Sequence, residues 1–422
     1  MNNSAKKHFI QFLGLPAFTV IFMLTIATLA GCASTTNASP KTNNDEPQAH
    51  ITADADVVST LSDPEATIYT KRLYNYIRDV YGKKIITGQM ENAWDDSYNQ
   101  LQQVFDKTQK YPALMGFDFM NYTSLGWSAR NKQTERAVNF WNGTDYNGNQ
   151  ISNNQGIVAF CWHWRDPTAP RGKTGSFAPK ETSFRIPYDT DNHTWKTDSE
   201  EYKEILADLD VIARELLKLQ YMEVPVIWRP MHEGAGNLGL YGNTGTAWFW
   251  WGAGNSTTYN ESKKEYSVST NEDVCAECYV ELWKLMYDYF TKTKGVHNLI
   301  WLWNGQNKKF YPGSEYVDMI GVDIYPRNND YSSQSASFIK YSNLDITKPI
   351  ALSECGVIPS LEKMQSDGAM WSYFMVWNDS KKSEDAENFW NGQAKNPDAH
   401  KAEIYGSDLA ITLDKVPDLR RY

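Results

Sequence analysis

Glu233 and Glu354 each stand at the polar end of a short apolar run. Val224 to Glu233 reads VPVIWRPMHE and Pro349 to Gly356 reads PIALSECG, the pattern of buried strands that finish in polar chemistry. Two carboxyl groups held at two strand ends suit paired acid/base work on an acetal, one protonating a leaving oxygen while the other attacks. A double displacement needs the two ~5 to 5.5 Å apart, with surroundings that push their pKa values in opposite directions. Nearby tryptophans point to a sugar as the acetal. A lone strand-end glutamate is usually a surface or capping residue; two in matched positions argue for a pair. The pattern alone does not say which is the acid.

The elements that would hold such a pair follow from the spacing of the apolar runs. Eight of them recur: Ile85 to Met90, Leu114 to Met120, Ile157 to Trp164, Val224 to Glu233, Asn298 to Asn304, Asp318 to Pro326, Pro349 to Gly356 and Trp371 to Asp379. Between them lie helix-like stretches with apolar positions three and four apart, such as Glu65 to Tyr81, Tyr202 to Gln220 and Val274 to Lys292. Strand alternating with helix predicts parallel crossover units, and eight units predict closure. The expected fold is therefore an α/β, (β/α)8 TIM barrel, a single domain with enlarged loops over residues 57–422. Its active site belongs at the C-terminal ends of the strands, where the polar and aromatic residues fall.

The ordered set WRPMHE, WFWWG (Trp248 to Gly252), DIYP (Asp323 to Pro326), LSECG (Leu352 to Gly356) and MVWND (Met375 to Asp379) resembles glycoside hydrolase family 26. That family is chiefly β-mannanases, in the clan with catalytic glutamates on strands four and seven. The resemblance runs from about Thr67 to IYG and ITLDKVPDL near the C-terminus. It implies a retaining mechanism with Glu233 as general acid/base and Glu354 as nucleophile. Tyr325 is similar to the tyrosine that donates to the nucleophile, and Asp323 joins it among the substrate-contacting residues. His232 matches the histidine that precedes the acid/base and His163 the one that holds the attacked sugar, where a neutral imidazole can fix an axial 2-hydroxyl. Trp162 or Trp164, Trp248 and Trp377 are the candidate stacking platforms, with barrel packing the alternative for each; Trp377 is the first choice beneath the attacked sugar. Arg229 braces a catalytic carboxylate or forms a structural ion pair.

The chain has 422 residues and a formal charge of -10, which becomes -12 when Lys6 and Lys7 are removed with a leader. Nothing there favours nucleic acid. Aromatic residues make up 14% of the chain, with 16 Trp and 25 Tyr, which fits a cleft that stacks flat rings. Lys6, Lys7 and His8 precede an apolar stretch from Phe9 to Ala30 that ends in LAGC, and this resembles a bacterial lipoprotein signal over residues 1–31, with Cys32 the lipidated first residue. Residues 32–56 would form a flexible tether, and Ala33 after the cysteine points to the outer membrane. The expected partners are thus a mannan or manno-oligosaccharide and, through the lipid, a membrane, for a monomer. Cys275 and Cys278 in CAEC lack a second ligand pair for zinc; isolated thiols or one disulfide among Cys161, Cys275, Cys278 and Cys355 fit better. No cofactor is needed, because two carboxylates suffice.

Two departures from the family pattern bear on mode of action. NLGLYGNTGTA stands between Glu233 and WFWWG, and a polar loop from Asn142 to Asn154 precedes the third strand. Loops at a cleft rim can close one end, so release of mannobiose from chain ends is expected beside the alternative of internal cleavage. The same framework could act on mixed-linked β-glucan or β-1,3-xylan, and a lipoprotein that binds glycan without cutting is the reading from another class.

Overall fold

Each barrel strand is buried along its length, save Ile324 at the end of the sixth, because a parallel sheet closed on itself has side chains filling its inside and helices covering its outside. A computed structural model describes residues 60–93, 99–126, 132–239, 245–379 and 388–422. The strands are β1 (Ile85–Met90), β2 (Leu114–Asp118), β3 (Ile157–Trp162), β4 (Val226–Pro230), β5 (Leu299–Trp303), β6 (Met319–Ile324), β7 (Ile350–Cys355) and β8 (Tyr373–Val376). They pair in sequence, all parallel, and β8 returns to β1 with Ile86 opposite Tyr373 and Gln89 opposite Val376. The eight expected strands are therefore present and the (β/α)8 barrel is closed. Seven of the expected runs extend beyond the observed strands; the surplus polar residues past the C-terminal ends form turns, and those turns build the site.

The helices between strands are α1 (Ile68–Val80), α2 (Gln100–Thr108), α3 (Gln133–Trp141), α4 (Glu200–Tyr221), α5 (Glu272–Asp288), α6 (Ser335–Ser342), α7 (Leu361–Ser366) and α8 (Asp398–Gly406). Helix α4 shows the local logic. Ser199 accepts from Tyr202 N as N-cap, Glu200 and Glu201 occupy the first turn and Lys218 the last, a charge order that complements the helix dipole. Its buried face is Ile205, Leu209, Ile212, Leu216 and Leu219, at helical spacing against the sheet. Helix α5 ends sooner than its periodicity suggests, passing into a π-type turn from Tyr289 to Lys294 that Gly295 closes at φ +67°. Phe290 in that turn reaches the core between Trp228 and Trp301, with both ring centroids 6.2 Å away.

Two expectations change here. The loop 142–154 precedes β3, so it lies at the N-terminal end of the barrel, where Asn154 donates to the Val416 carbonyl and Arg420 donates to Asn142. It cannot close a cleft at the opposite end. Cys161, Cys275, Cys278 and Cys355 are all buried and free, so isolated thiols, not a disulfide, describe them. The expected leader 1–31, Cys32 and the tether to residue 56 lie outside the described residues, and among the described residues no helix is long and apolar enough to cross a membrane.

Candidate active site

Strand β4 stops at Pro230, and the chain then turns through Met231 and Glu233 at φ +48° and +50°. The left-handed region costs an L-residue about 1–2 kcal/mol, so neighbours must hold the turn. The Tyr279 hydroxyl on α5 donates to the Met231 carbonyl at 3.0 Å and the Trp251 indole to the His232 carbonyl at 2.9 Å. Glu233 N donates to the Asn304 carbonyl at 2.7 Å. Gly252 seals the contact: a Cβ there would stand 1.6 Å from the Gly234 carbonyl oxygen. The WFWWG segment is thus divided, with Trp250 and Trp251 buried as supports, Trp248 44% exposed at the rim, and Phe249 turned toward His163 and His232. The intervening loop is pinned at its base, where Asn237 N donates to the Thr246 carbonyl at 2.9 Å.

Inside the barrel, Arg229 on β4 donates to Asp323 at 3.0 Å and to Glu354 Oε1 in a close contact. The register of β6 on β7 slips beside Asp323, which faces Glu354 after Val322 has faced Leu352. That bulge at Ser353 lets two successive side chains of β7 point inward: Ser353 donates to Asp323 Oδ1 at 2.7 Å, and Glu354 reaches Arg229. Tyr325 completes the pair, its hydroxyl donating to Glu354 Oε2 at 2.5 Å. Asn304, at the end of β5, donates to Asp323 and Ser353 at 2.7 and 2.6 Å, while its own side-chain oxygen accepts from Glu233 N. One oxygen from each of Glu233, Asp323 and Glu354 lies within 4.8 Å of the others.

Three carboxyl groups share one guanidinium, so the arrangement favours a proton on one of them. Asp323 and Glu354 both bond Arg229; among the described residues Glu233 accepts only the Gln306 amide, at 3.3 Å. Burial, then the charges of Asp323 and Glu354, raise Glu233 well above the usual carboxylate range. Burial opposes the charge of Arg229, but Glu354 and Asp323 hold it well above its ordinary value. The Tyr325 hydroxyl is likewise raised, by burial and then by Glu354, and so remains a donor. The result is a neutral acid at Glu233 facing Glu354, whose two oxygens are taken up by Arg229 and Tyr325.

His163 and His232 form a second layer. His163 Nδ1 lies 2.5 Å from Asp118, whose other oxygen accepts from His163 N and Met120 N, so the ring's Nδ1–H donates to the carboxylate. Its Nε2 is 3.2 Å from His232 Nε2. Burial, then His163 and Arg229, push His232 far below the usual histidine range, leaving it neutral and able to donate to its neighbour. Trp377, past the end of β8, approaches His163 at 5.8 Å between centroids, and Phe177 does so at 5.5 Å. A cavity of about 630 Å³ opens on the other side, lined by Leu238, Gln306, Asp323, Tyr325, Tyr341 and Leu344 among others.

Glu233, Glu354, Arg229, Asp323, Tyr325, His163, His232 and Trp377 therefore come together as the sequence suggests, with Trp248 at the edge. Trp162 does not. It is 1% exposed and stacked on buried Trp164 at 4.0 Å, so neither can offer a face to a sugar. Asn304, Gln306, Phe249 and Asp118 were not singled out by sequence; a polar residue directly after a barrel strand was the available signal for Asn304. Two groups bring ligand-type atoms close enough for a cation: Glu233, Asp323 and Glu354, and Asp118, Cys161 and His163. In the first, Arg229 already supplies the positive charge. In the second, burial and then Asp118 keep the Cys161 thiol protonated, a poor metal ligand.

The family model described as Glycosyl hydrolase family 26 matches residues 62–400. The chain belongs to that family. It is 32% identical over 381 residues to mannan endo-1,4-beta-mannosidase B of Piromyces sp, covering 89% of this chain and 56% of the relative. This family 26 chain thus spans little more than half the length of that curated relative. Among solved structures, a ruminal GH26 endo-beta-1,4-mannanase matches with TM-score 0.69 and 30% identity over 86% of this chain and 72% of its own. The Podospora anserina GH26-CBM35 beta-(1,4)-mannanase matches with TM-score 0.66 and 28% identity over 90% and 72%.

Two outcomes follow for family 26 geometry in this chain. Gly252→Ala sets a methyl against backbone that cannot move without the Glu233 turn, and should cost about 2–5 kcal/mol in denaturant unfolding, in the range of an overpacked core site or more; an unchanged midpoint refutes the contact. The folded protein also keeps a proton on Glu233 that the unfolded chain releases above the usual 4.5. Wild-type Tm should therefore fall relative to Glu233→Gln as pH rises beyond that value, and a difference independent of pH would show that the carboxyl is not raised.

Proposed function

We propose that this protein is a retaining hydrolase of β-1,4-linked mannan and manno-oligosaccharides. The observation that carries the reading is the close carboxyl pair, in which Glu354 is held by Arg229 and Tyr325 while Glu233 has no ion pair among the described residues. A separation within 4.8 Å for the nearest oxygens suits a double displacement and leaves no room for the water that an inverting enzyme places between its carboxyls. In the first step the Glu354 carboxylate bonds to the anomeric carbon as that carbon's bond to the leaving oxygen breaks, and Glu233 gives its proton to that oxygen. In the second, a water oxygen bonds to the anomeric carbon as that carbon's bond to Glu354 breaks, and Glu233 takes the proton the water gives up. Arg229 and Tyr325 relinquish part of their hold on Glu354 as it loses charge, which costs least when both remain in place to receive the carboxylate again.

The relatives' names support mannan as the substrate. His163 is fixed by Asp118 at Nδ1 and meets His232 at Nε2; on this reading the imidazole pair suits an axial 2-hydroxyl, and Trp377 the sugar face. Those names also support internal cleavage, whereas the loop beyond Glu233, with Trp248 at its base, favours one closed end and short products from chain ends. On the same reading, Cys32 carries lipid and tethers the barrel to the outer membrane.

The test is a product time course on reduced and unreduced mannohexaose with wild type, Glu233→Ala and Glu354→Ala. Loss of ~10²–10⁴-fold in both variants supports the pair, the range expected when a general acid is removed. Early mannobiose alone supports chain-end action; mixed products support internal cleavage; no hydrolysis by wild type, with cleavage of barley-type glucan or β-1,3-xylan instead, overturns the substrate. For the anchor, Cys32→Ser should move the protein from the membrane fraction to the soluble one and abolish palmitate labelling. Unchanged membrane recovery would contradict lipidation.

A further inference from the structure

Gln306 occupies a place that neither the pair nor the motifs explain. It follows β5 by three residues and adopts φ +58°, a left-handed conformation that persists only where surroundings over-determine it. Its backbone carbonyl accepts from the Tyr341 hydroxyl of α6 at 2.6 Å, and its side-chain amide donates to Glu233 Oε1 at 3.3 Å. The two residues before it hold the same turn from the backbone: the Asn304 carbonyl accepts from Glu233 N and the Gly305 carbonyl from Ala235 N at 3.1 Å. Two left-handed segments, at Glu233 and at Gln306, are thus locked face to face.

The cavity described above lies directly behind this loop, lined by Gln306, Asn307, Tyr341 and Leu344. Apolar packing does not support Gln306 there, and Tyr341 spans the gap as a strut. The strut itself is secure, because Tyr341 is the buried residue of α6.

We propose that Gln306 is a positioning residue for Glu233, selecting which carboxyl oxygen carries the proton. An amide N–H donates best to a carbonyl-type oxygen; with Oε1 so engaged, the hydroxyl of the neutral acid is on Oε2, the oxygen left to face a glycosidic bond. Tyr341 acts one step further out, by fixing the Gln306 backbone. The donor also favours the charged carboxylate, opposing the rise that burial imposes on Glu233, so its removal should move the alkaline limb of kcat/KM upward. This inference rests on Glu233 as the acid.

The experiment compares wild type, Gln306→Ala, Gln306→Met, Tyr341→Phe and Glu233→Ala on two aryl β-mannobiosides, one with a leaving group that needs no proton (dinitrophenolate) and one that does (phenolate). Expected for Gln306→Ala and Gln306→Met is a loss of roughly tenfold in kcat/KM, which reports departure of the aryl group, on the poor leaving group, a fraction of general-acid catalysis, with little change in kcat/KM on the good one. Tyr341→Phe should show the same selectivity in weaker form, and the alkaline limb should move upward in both Gln306 variants. Equal losses on both substrates, or none, would overturn the role while Glu233→Ala still shows leaving-group selectivity. If Glu233→Ala itself lacks that selectivity, the acid/base assignment falls and this inference with it. Wild-type Tm in the Gln306 variants confirms that the comparison is between folded enzymes.

Discussion

One buried guanidinium organises the centre of this barrel. Arg229 has no water to solvate it, and removing a charge of that size from water costs several kcal/mol unless it is paired with good geometry. Asp323 and Glu354 supply that pairing through separate nitrogens. Two carboxylates satisfy the one cation, and a third nearby is left with none to lean on. The difference in surroundings between Glu233 and Glu354 is therefore a consequence of counting charges in a confined space, set by which strand end reaches Arg229. Asn304 and Ser353 matter because they absorb the remaining acceptor capacity of Asp323, which keeps that carboxylate bound to the wall and not to a ligand.

Much of this was written in the linear sequence. Parallel strands covered on both sides read as continuous apolar runs, so their number and order were visible, and Glu233 and Glu354 stood out because charged residues break such runs at their ends. What could not be read was the local path after each strand. Glu233 sits three residues beyond β4 on a left-handed turn, and no propensity marks Met231 or Glu233 for that conformation; it is imposed by Tyr279, Trp251 and Asn304 from three distant elements. Gln306 stayed hidden for the same reason.

Other readings missed rules that were available. Side chains alternate along a strand, so placing His163 inward places Trp162 outward, against Trp164 and the helix layer. A loop that precedes a strand belongs to the far end of the barrel, and residues 142–154 accordingly meet the C-terminal segment around Val416 and Arg420. Of WFWWG, Trp248 was the candidate platform, and only the first two aromatics of that segment face open space or the histidines. The last two are supports that act through their indole N–H groups, Trp251 on the His232 carbonyl of the Glu233 turn and Trp250 on the Trp164 carbonyl beyond β3, a task for which tryptophan brings a long reach and a single donor.

The bond from Asn237 to Thr246 closes the base of the loop that follows Glu233. The chain enters and leaves it through neighbouring points, and the Gly234 and Gly252 contact lies on the inner side of that closure. Just beyond that closure the Leu238 carbonyl accepts from Asn307, the neighbour of Gln306, so a change of length or composition in this segment is felt both at the rim and in the wall beside Glu233.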